Sequence, residues 1–141
     1  MIDLITWIQP NIFRIVVGIL FLIIVGFDLK TREIPAIFTT GVIFFIAVIN
    51  IGHLEFGIIS FIFAWMLYEA EFLEGIADVK MITALGLMVF TLHGLIAMVM
   101  ILAVVGASYT ACLKAFTKIR EIPFTPMILI TYAGLWIIGA V

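Results

Sequence analysis

Two aspartates are the residues of this chain best placed to do chemistry. Asp28 ends an apolar run in GFDLKTREIP, and Asp78 opens another in GIADVKM. An acid at the edge of an apolar helix is costly unless it is solvated, paired or used. Taken singly, each has an ordinary explanation. Asp28 can be a solvated residue beside Lys30 and Arg32, and Asp78 a first-turn acid that complements a helix dipole. Two carboxyls from different helices can instead act as an aspartyl dyad. Like charges held close resist joint ionisation, so one carboxyl keeps its proton while the other stays anionic. The anion then takes a proton from water as the neutral partner donates to a carbonyl, and neither metal nor cofactor is required. Gly75 and Ala77, just before Asp78, leave backbone room for an extended chain to approach. Pro35 fits the first turn of the following helix and sets how the short loop after Asp28 turns back.

Other polar residues have weaker claims. Lys80 lies two positions past Asp78, about 200° around a helix, so it is expected on a different face, as a snorkelling cation. Glu69, Glu71 and Glu74 form an acidic cluster just before Asp78, readable as a solvated loop or as an attractor of basic partners. His53 and His93 have no ligand set near them, so no metal site is expected. Cys112 is the only cysteine, which excludes an intrachain disulfide and a paired-cysteine zinc site.

The elements that must position the aspartates are set by composition. Of 141 residues, 66% are hydrophobic and 11% charged, whereas a soluble domain carries roughly 25% charged residues. The chain reads as an all-α, polytopic integral membrane protein, with no room in its length for a large soluble catalytic domain. A net charge of −2 gives no basic field for nucleic acid. The opening MIDLITWIQP lacks a basic n-region and reads as the approach to a retained first span.

Residues 34–52 and 122–141 are charge-free runs of spanning length. Residues 15–27 form the core of a first span, with Trp7 and Arg14 as interface anchors, and residues 56–68 that of a third. Met81 to Leu113 contains no Asp, Glu, Lys or Arg. As one helix it would measure about 50 Å against a hydrocarbon core of about 30 Å, so it is divided near Thr91–Gly94. The expected spans are 7–27, 34–51, 54–72, 78–92, 94–113 and 122–141, in a single domain with short loops. With the N-terminus outside, Lys30, Arg32, Lys80, Lys114, Lys118 and Arg120 share the cytoplasmic side and only Arg14 faces out. The positive-inside rule favours six spans over five, which would scatter these cations. Both aspartates then fall at the cytoplasmic face.

At these residues the chain resembles the type IV prepilin peptidases and the archaeal preflagellin peptidases, membrane aspartyl proteases of the GxGD class. The resemblance rests on Asp28-Leu29-Lys30-Thr31-Arg32-Glu33-Ile34-Pro35, similar to D-x-K-x-x-x-I-P, and on Gly75-Ile76-Ala77-Asp78-Val79-Lys80, similar to G-x-[GA]-D-x-K. The ALGL run at residues 84–87 and IPFTP at residues 122–126 follow in the family's order, so the likeness extends from about residue 20 to 135. It implies that Asp28 and Asp78 are catalytic, with Lys30, Pro35, Gly75, Ala77 and Lys80 supporting them. It also implies a pilin-like or archaellin-like precursor as substrate, no cofactor, and a plasma-membrane location. Glu69, Glu71 and Glu74 would attract the precursor's basic leader. Ala77 departs from the strict GxGD pattern, and no segment matches the paired-cysteine region of the larger members that also N-methylate their product. Peptidase activity alone is therefore expected.

Two rival functions fit parts of the pattern. An intramembrane protease of presenilin or signal-peptide-peptidase type shares the GxGD class but pairs it with a Pro-Ala-Leu motif, absent here. A small transporter or assembly subunit could use the two aspartates as proton or cation sites. Cleavage between leader and apolar segment, cleavage within the apolar segment, or ion flux without cleavage separates the three.

Overall fold

The computed structural model describes residues 2–31, 33–116 and 123–141, with side chains from residue 11 onward. Arg32, Lys118, Arg120 and Ile122 of the motifs and charge pattern lie outside the described residues, as does the Trp7 side chain. Among the described residues the chain forms six α-helices: α1 (Ile2–Thr31), α2 (Ala36–Ile49), α3 (Leu54–Glu69), α4 (Ile76–Leu87), α5 (Leu92–Phe116) and α6 (Thr125–Ile137). A 3-10 turn, Ile51–His53, joins α2 to α3.

Asn11–Thr31, Ile51–Glu69 and Leu92–Phe116 are each long and apolar enough to cross a membrane, while α2 and α6 are shorter apolar helices. Large side chains cover the outer surface, among them Ile19 and Leu22 on α1, Phe44 on α2, Ile58 and Ile62 on α3, and Met100 and Val104 on α5, all exposed. Such a surface suits acyl chains and not water.

The expected fourth span, 78–92, is where the fold departs most from expectation. Helix α4 has 12 residues, about 18 Å of rise, too little to cross the hydrocarbon core alone. The chain turns after Leu87 while Met88 and Val89 remain buried. Thr91–Gly94, read above as the break, is instead the start of α5: the Gly94 N–H donates to Thr91 Oγ1 at 3.0 Å, an N-cap bond. Pro35 also shifts slightly, standing at the N-cap of α2 and not inside its first turn. Its carbonyl accepts the N–H groups of Phe38 and Thr39 at 3.0 and 3.2 Å.

Past Asp78 and Lys80 in its first turns, α4 is almost wholly apolar, and it occupies the core of the bundle. Val79, Met81, Ile82, Ala84, Leu85, Gly86 and Leu87 are all buried, and α4 packs against α2, α3, α5 and α6. Its closest neighbour is α3, whose buried residues, Gly57, Ser60 and Ala64, are small. Small side chains let two backbones approach, which is how helices associate where lipid offers no hydrophobic driving force. At Gly86 a side chain would meet Ser60 and, at 2.9 Å, the Phe56 carbonyl; at Gly57 it would meet Leu87.

The second seam joins α1 to α6. Val17, Phe21 and Ile24 pack with Ile128, Tyr132 and Leu135 in the fully buried core, and Phe21 meets Tyr132 edge-on with ring centroids 5.2 Å apart. The Tyr132 hydroxyl donates to the Arg14 carbonyl at 2.6 Å. The α2 and α4 C-termini meet at the opposite end of the bundle from the aspartates. There Asn50 Nδ2 donates to the Leu87 carbonyl at 2.9 Å, satisfying an acceptor in the last turn of α4. His53 lies at this end, edge-on to Phe90 at 5.0 Å.

Helix α3 ends in a Schellman motif: the Glu71 N–H bonds the Tyr68 carbonyl and the Phe72 N–H bonds that of Leu67. The left-handed position falls on Glu71, with φ 61°, where α6 uses Gly139, with φ 72°.

Gly86→Ala should cost about 1–3 kcal/mol through overpacking, read as a lower melting temperature in detergent. Gly41→Ala, with open space around its new Cβ, should cost nothing and serves as the control. Glu71→Gly should raise the melting temperature by relieving about 1 kcal/mol of left-handed strain; an unchanged or lowered value would contradict the assignment of strain there.

Candidate active site

Asp28 sits in the last turn of α1, which continues past the expected end at Phe27 to Thr31. Its carboxyl is only 9% exposed, so it must take hydrogen bonds from the protein in place of water. Both described donors belong to Thr125, the first residue of α6. The hydroxyl donates to Asp28 Oδ2 at 2.6 Å and the backbone N–H to the same oxygen at 3.3 Å. Thr125 is itself 1% exposed.

Asp78 lies in the first turn of α4, outside the three helices long enough to cross a membrane. Gly75 is the N-cap, with φ −152° and ψ 159°, and its N–H donates to Asp78 Oδ2 at 3.3 Å in a capping box. This extended backbone is open to any residue, so the fold does not require glycine there. A Cβ on Gly75 would find its nearest neighbour at 3.9 Å. Partial burial pushes the Asp78 carboxyl above the usual carboxylate range; the Gly75 N–H opposes the rise and the negative charge on Asp28 adds to it. The two aspartates thus share one end of the bundle and act on each other electrostatically.

Asp78 lines a cavity of about 230 Å³ together with Glu74, Thr110, Lys114, Phe124 and Met127. Asp28 does not line it and lies buried against Thr125, the residue between Phe124 and Met127's helical turn. The cavity shares Phe72, Leu73, Thr110, Lys114, Phe124 and Met127 with a larger apolar groove of about 690 Å³. One wall of that groove is Phe63 and Leu67 of α3, its floor includes Ile82 of α4, and the opposite wall is the small-residue face of α5: Ala103, Gly106, Ala107, Thr110 and Ala111. The buried residues of α5, Gly94, Leu95, Met98 and Leu102, all lie in its first half. Its second half stands away from α3 and leaves the groove between them.

The supporting residues divide. Gly75 and Ala77 adjoin Asp78, but Lys80 points elsewhere: its Nζ donates to Thr40 Oγ1 on α2 at 2.9 Å. This agrees with its angular separation from Asp78 and ties the start of α4 to α2. Lys30 and Pro35 are exposed and do not line the cavity. Glu69, Glu71 and Glu74 line a shallow acidic concavity with Tyr68 and Leu73; of the three, only Glu74 also borders the Asp78 cavity. Among the described residues no group of His, Cys, Asp or Glu is arranged to hold a metal ion.

Two residues of this end escaped the sequence reading. Lys114 was expected in a loop, but α5 runs to Phe116 and carries it to the mouth of the Asp78 cavity. Thr125 was counted only as part of IPFTP; a hydroxyl residue flanked by Pro123 and Pro126 at the start of an apolar helix was the available signal. No known family model, curated protein or solved structure matches this chain.

Proposed function

We propose that the chain is a membrane aspartyl endopeptidase of the prepilin and preflagellin peptidase type. It removes the short basic leader of a pilin-like precursor at the cytoplasmic face of the plasma membrane, just before the precursor's apolar helix. The observation that carries this reading is the placing of Asp28 and Asp78 at one end of the bundle, where the charge on Asp28 bears on Asp78 and Asp78 lines a cavity continuous with an apolar groove.

The two halves of such a substrate need different surroundings. An apolar helix can lie along α5, whose small residues allow close backbone approach. A basic leader is drawn towards Glu69, Glu71 and Glu74 at the adjoining end. The junction between them then falls at Asp78. Water attacks the scissile carbonyl there, one carboxyl accepting its proton and the other donating to the carbonyl oxygen. Orientation follows from the cations: Lys30, Lys80 and Lys114 belong to the aspartate end and Arg14 lies farther along α1, beside Tyr132. The positive-inside rule favours that end in the cytoplasm and the N-terminus outside, with successive helices alternating in direction and the short α4 enclosed by its neighbours.

The direct test is cleavage of a purified precursor by wild type, Asp28→Asn and Asp78→Asn in detergent or liposomes. Each variant should lose about three orders of magnitude or more in rate. Wild-type processing by either variant would sink the dyad. Cuts within the apolar segment would point to the presenilin type, and aspartate-dependent ion flux without cleavage to a transporter. Gly75→Ala should lower the melting temperature only slightly, by the loss of a better N-cap residue worth about 0.5–1 kcal/mol, because its Cβ meets no close contact. If the substrate backbone passes here, the same variant raises KM about tenfold, some 1.4 kcal/mol of lost binding. An unchanged KM would remove Gly75 from the substrate path.

A further inference from the structure

We propose that Thr125 is the positioning residue of the pair: it fixes Asp28 as the carboxylate that takes the proton of the attacking water, leaving Asp78 as the acid that protonates the scissile carbonyl. This inference rests on the proposed peptidase activity.

A hydroxyl can donate or accept, so the 2.6 Å contact between Thr125 Oγ1 and Asp28 Oδ2 does not by itself say where a proton sits. A backbone N–H can only donate. The Thr125 N–H reaches the same Oδ2 at 3.3 Å, so that oxygen is held as an acceptor from two directions. The N–H is also one of the groups at a helix start with no partner inside the helix, a position that favours negative charge. Both of these donors fall on Oδ2, so among the described residues Oδ1 is the atom of Asp28 left to receive a proton. Asp78 is placed differently: its donors are backbone groups of the turn before α4, at Gly75 and Glu74, no side-chain hydroxyl stands behind it, and it faces the cavity where a substrate carbonyl would lie.

Among the described residues few other charges bear on the pair. Glu74 approaches from the turn before α4 and Lys114 from α5. Helices α2 and α6 contain no charged residue, and Lys80 is directed to Thr40.

The reaction balances on these assignments. The water oxygen bonds to the carbonyl carbon, one water proton passes to Asp28 Oδ1, and the Asp78 proton passes to the carbonyl oxygen, giving a neutral gem-diol. On collapse the C–N bond breaks, Asp28 returns its proton to the departing nitrogen, and Asp78 recovers a proton from one hydroxyl. Each carboxyl ends in the state in which it began.

The test compares wild type, Thr125→Val and Thr125→Ser for cleavage of a precursor across pH, with melting temperatures measured alongside. Valine keeps the volume and the backbone N–H but removes the hydroxyl donor. It should lower kcat about 10- to 100-fold with KM unchanged, the scale of losing a hydrogen-bonding partner behind a reacting group. It should also move the acid limb of the rate profile to higher pH, because the base becomes easier to protonate. Serine restores the hydroxyl and should return both kcat and the acid limb towards wild type. The proposal is overturned if Thr125→Val keeps the wild-type rate and profile, or if Thr125→Ser is as impaired as Thr125→Val. Should Thr125→Val fail to fold, Thr125→Ala takes its place as the variant without a hydroxyl: a lowered kcat restored by Thr125→Ser supports the proposal, and a wild-type rate and profile overturns it. Processing by Asp28→Asn or Asp78→Asn would overturn the peptidase reading itself; inactivity of both beside an unaffected Thr125→Val would overturn only the role of Thr125.

Discussion

A carboxyl group buried in an apolar bundle must find its hydrogen-bond donors in the protein, and at Asp28 this requirement organises the surrounding helices. Thr125 meets it with a hydroxyl and a backbone N–H, both available only because α6 begins there. The start of α6 is therefore held level with the last turn of α1, and the two helices run side by side from that point. Farther along, the edge-on contact of Phe21 with Tyr132 and the bond from Tyr132 to the Arg14 carbonyl continue the seam. Sliding α6 by one residue would forfeit all of these together. Polar anchoring at one end and aromatic packing along the length thus specify a single register in a medium where apolar contact alone is indiscriminate.

Around that seam, α4 is the piece that brings in the second aspartate. Its close approach to α3 depends on residues with little or no side chain, and its first turn is tied to α2 through Lys80 and Thr40. Asp78 then faces the cavity beside Phe124 and Met127, the residues that flank the start of α6. The pair is thus assembled from opposite sides of one short helical start, with Thr125 facing Asp28 and its neighbours facing Asp78.

The helical class, the division into six elements and the common end for Asp28 and Asp78 were legible because apolar runs and scarce charges carry strong signals. Lys80 was also legible in part: the angle along the helix separated it from Asp78, though nothing in the sequence named Thr40 as its partner. The length of α4 was not legible. Residues 81–113 offer no charge to mark an end, and the mark that exists, Thr91 capping α5, is a single hydroxyl bond. Lys114 was misplaced for the opposite reason: a cation after an apolar run reads as a loop, yet a lysine stem extends a helix comfortably. Thr125 was invisible to hydropathy because threonine is neutral on such a scale, while its importance lies in two donor atoms and a contact across the whole sequence.

The shortness of α4 has a consequence for the bilayer itself. If α1 and α5 set the thickness of the surrounding lipid, α4 fills only about 18 Å of a slab of about 30 Å. The difference must be met by water and loop at its ends or by local thinning, at a cost of fractions of a kcal/mol per ångström. Bilayer thickness then becomes a control on the hydration of Asp78: thin membranes bring the headgroup layer down to the first turn of α4, and thick ones draw that turn deeper into hydrocarbon.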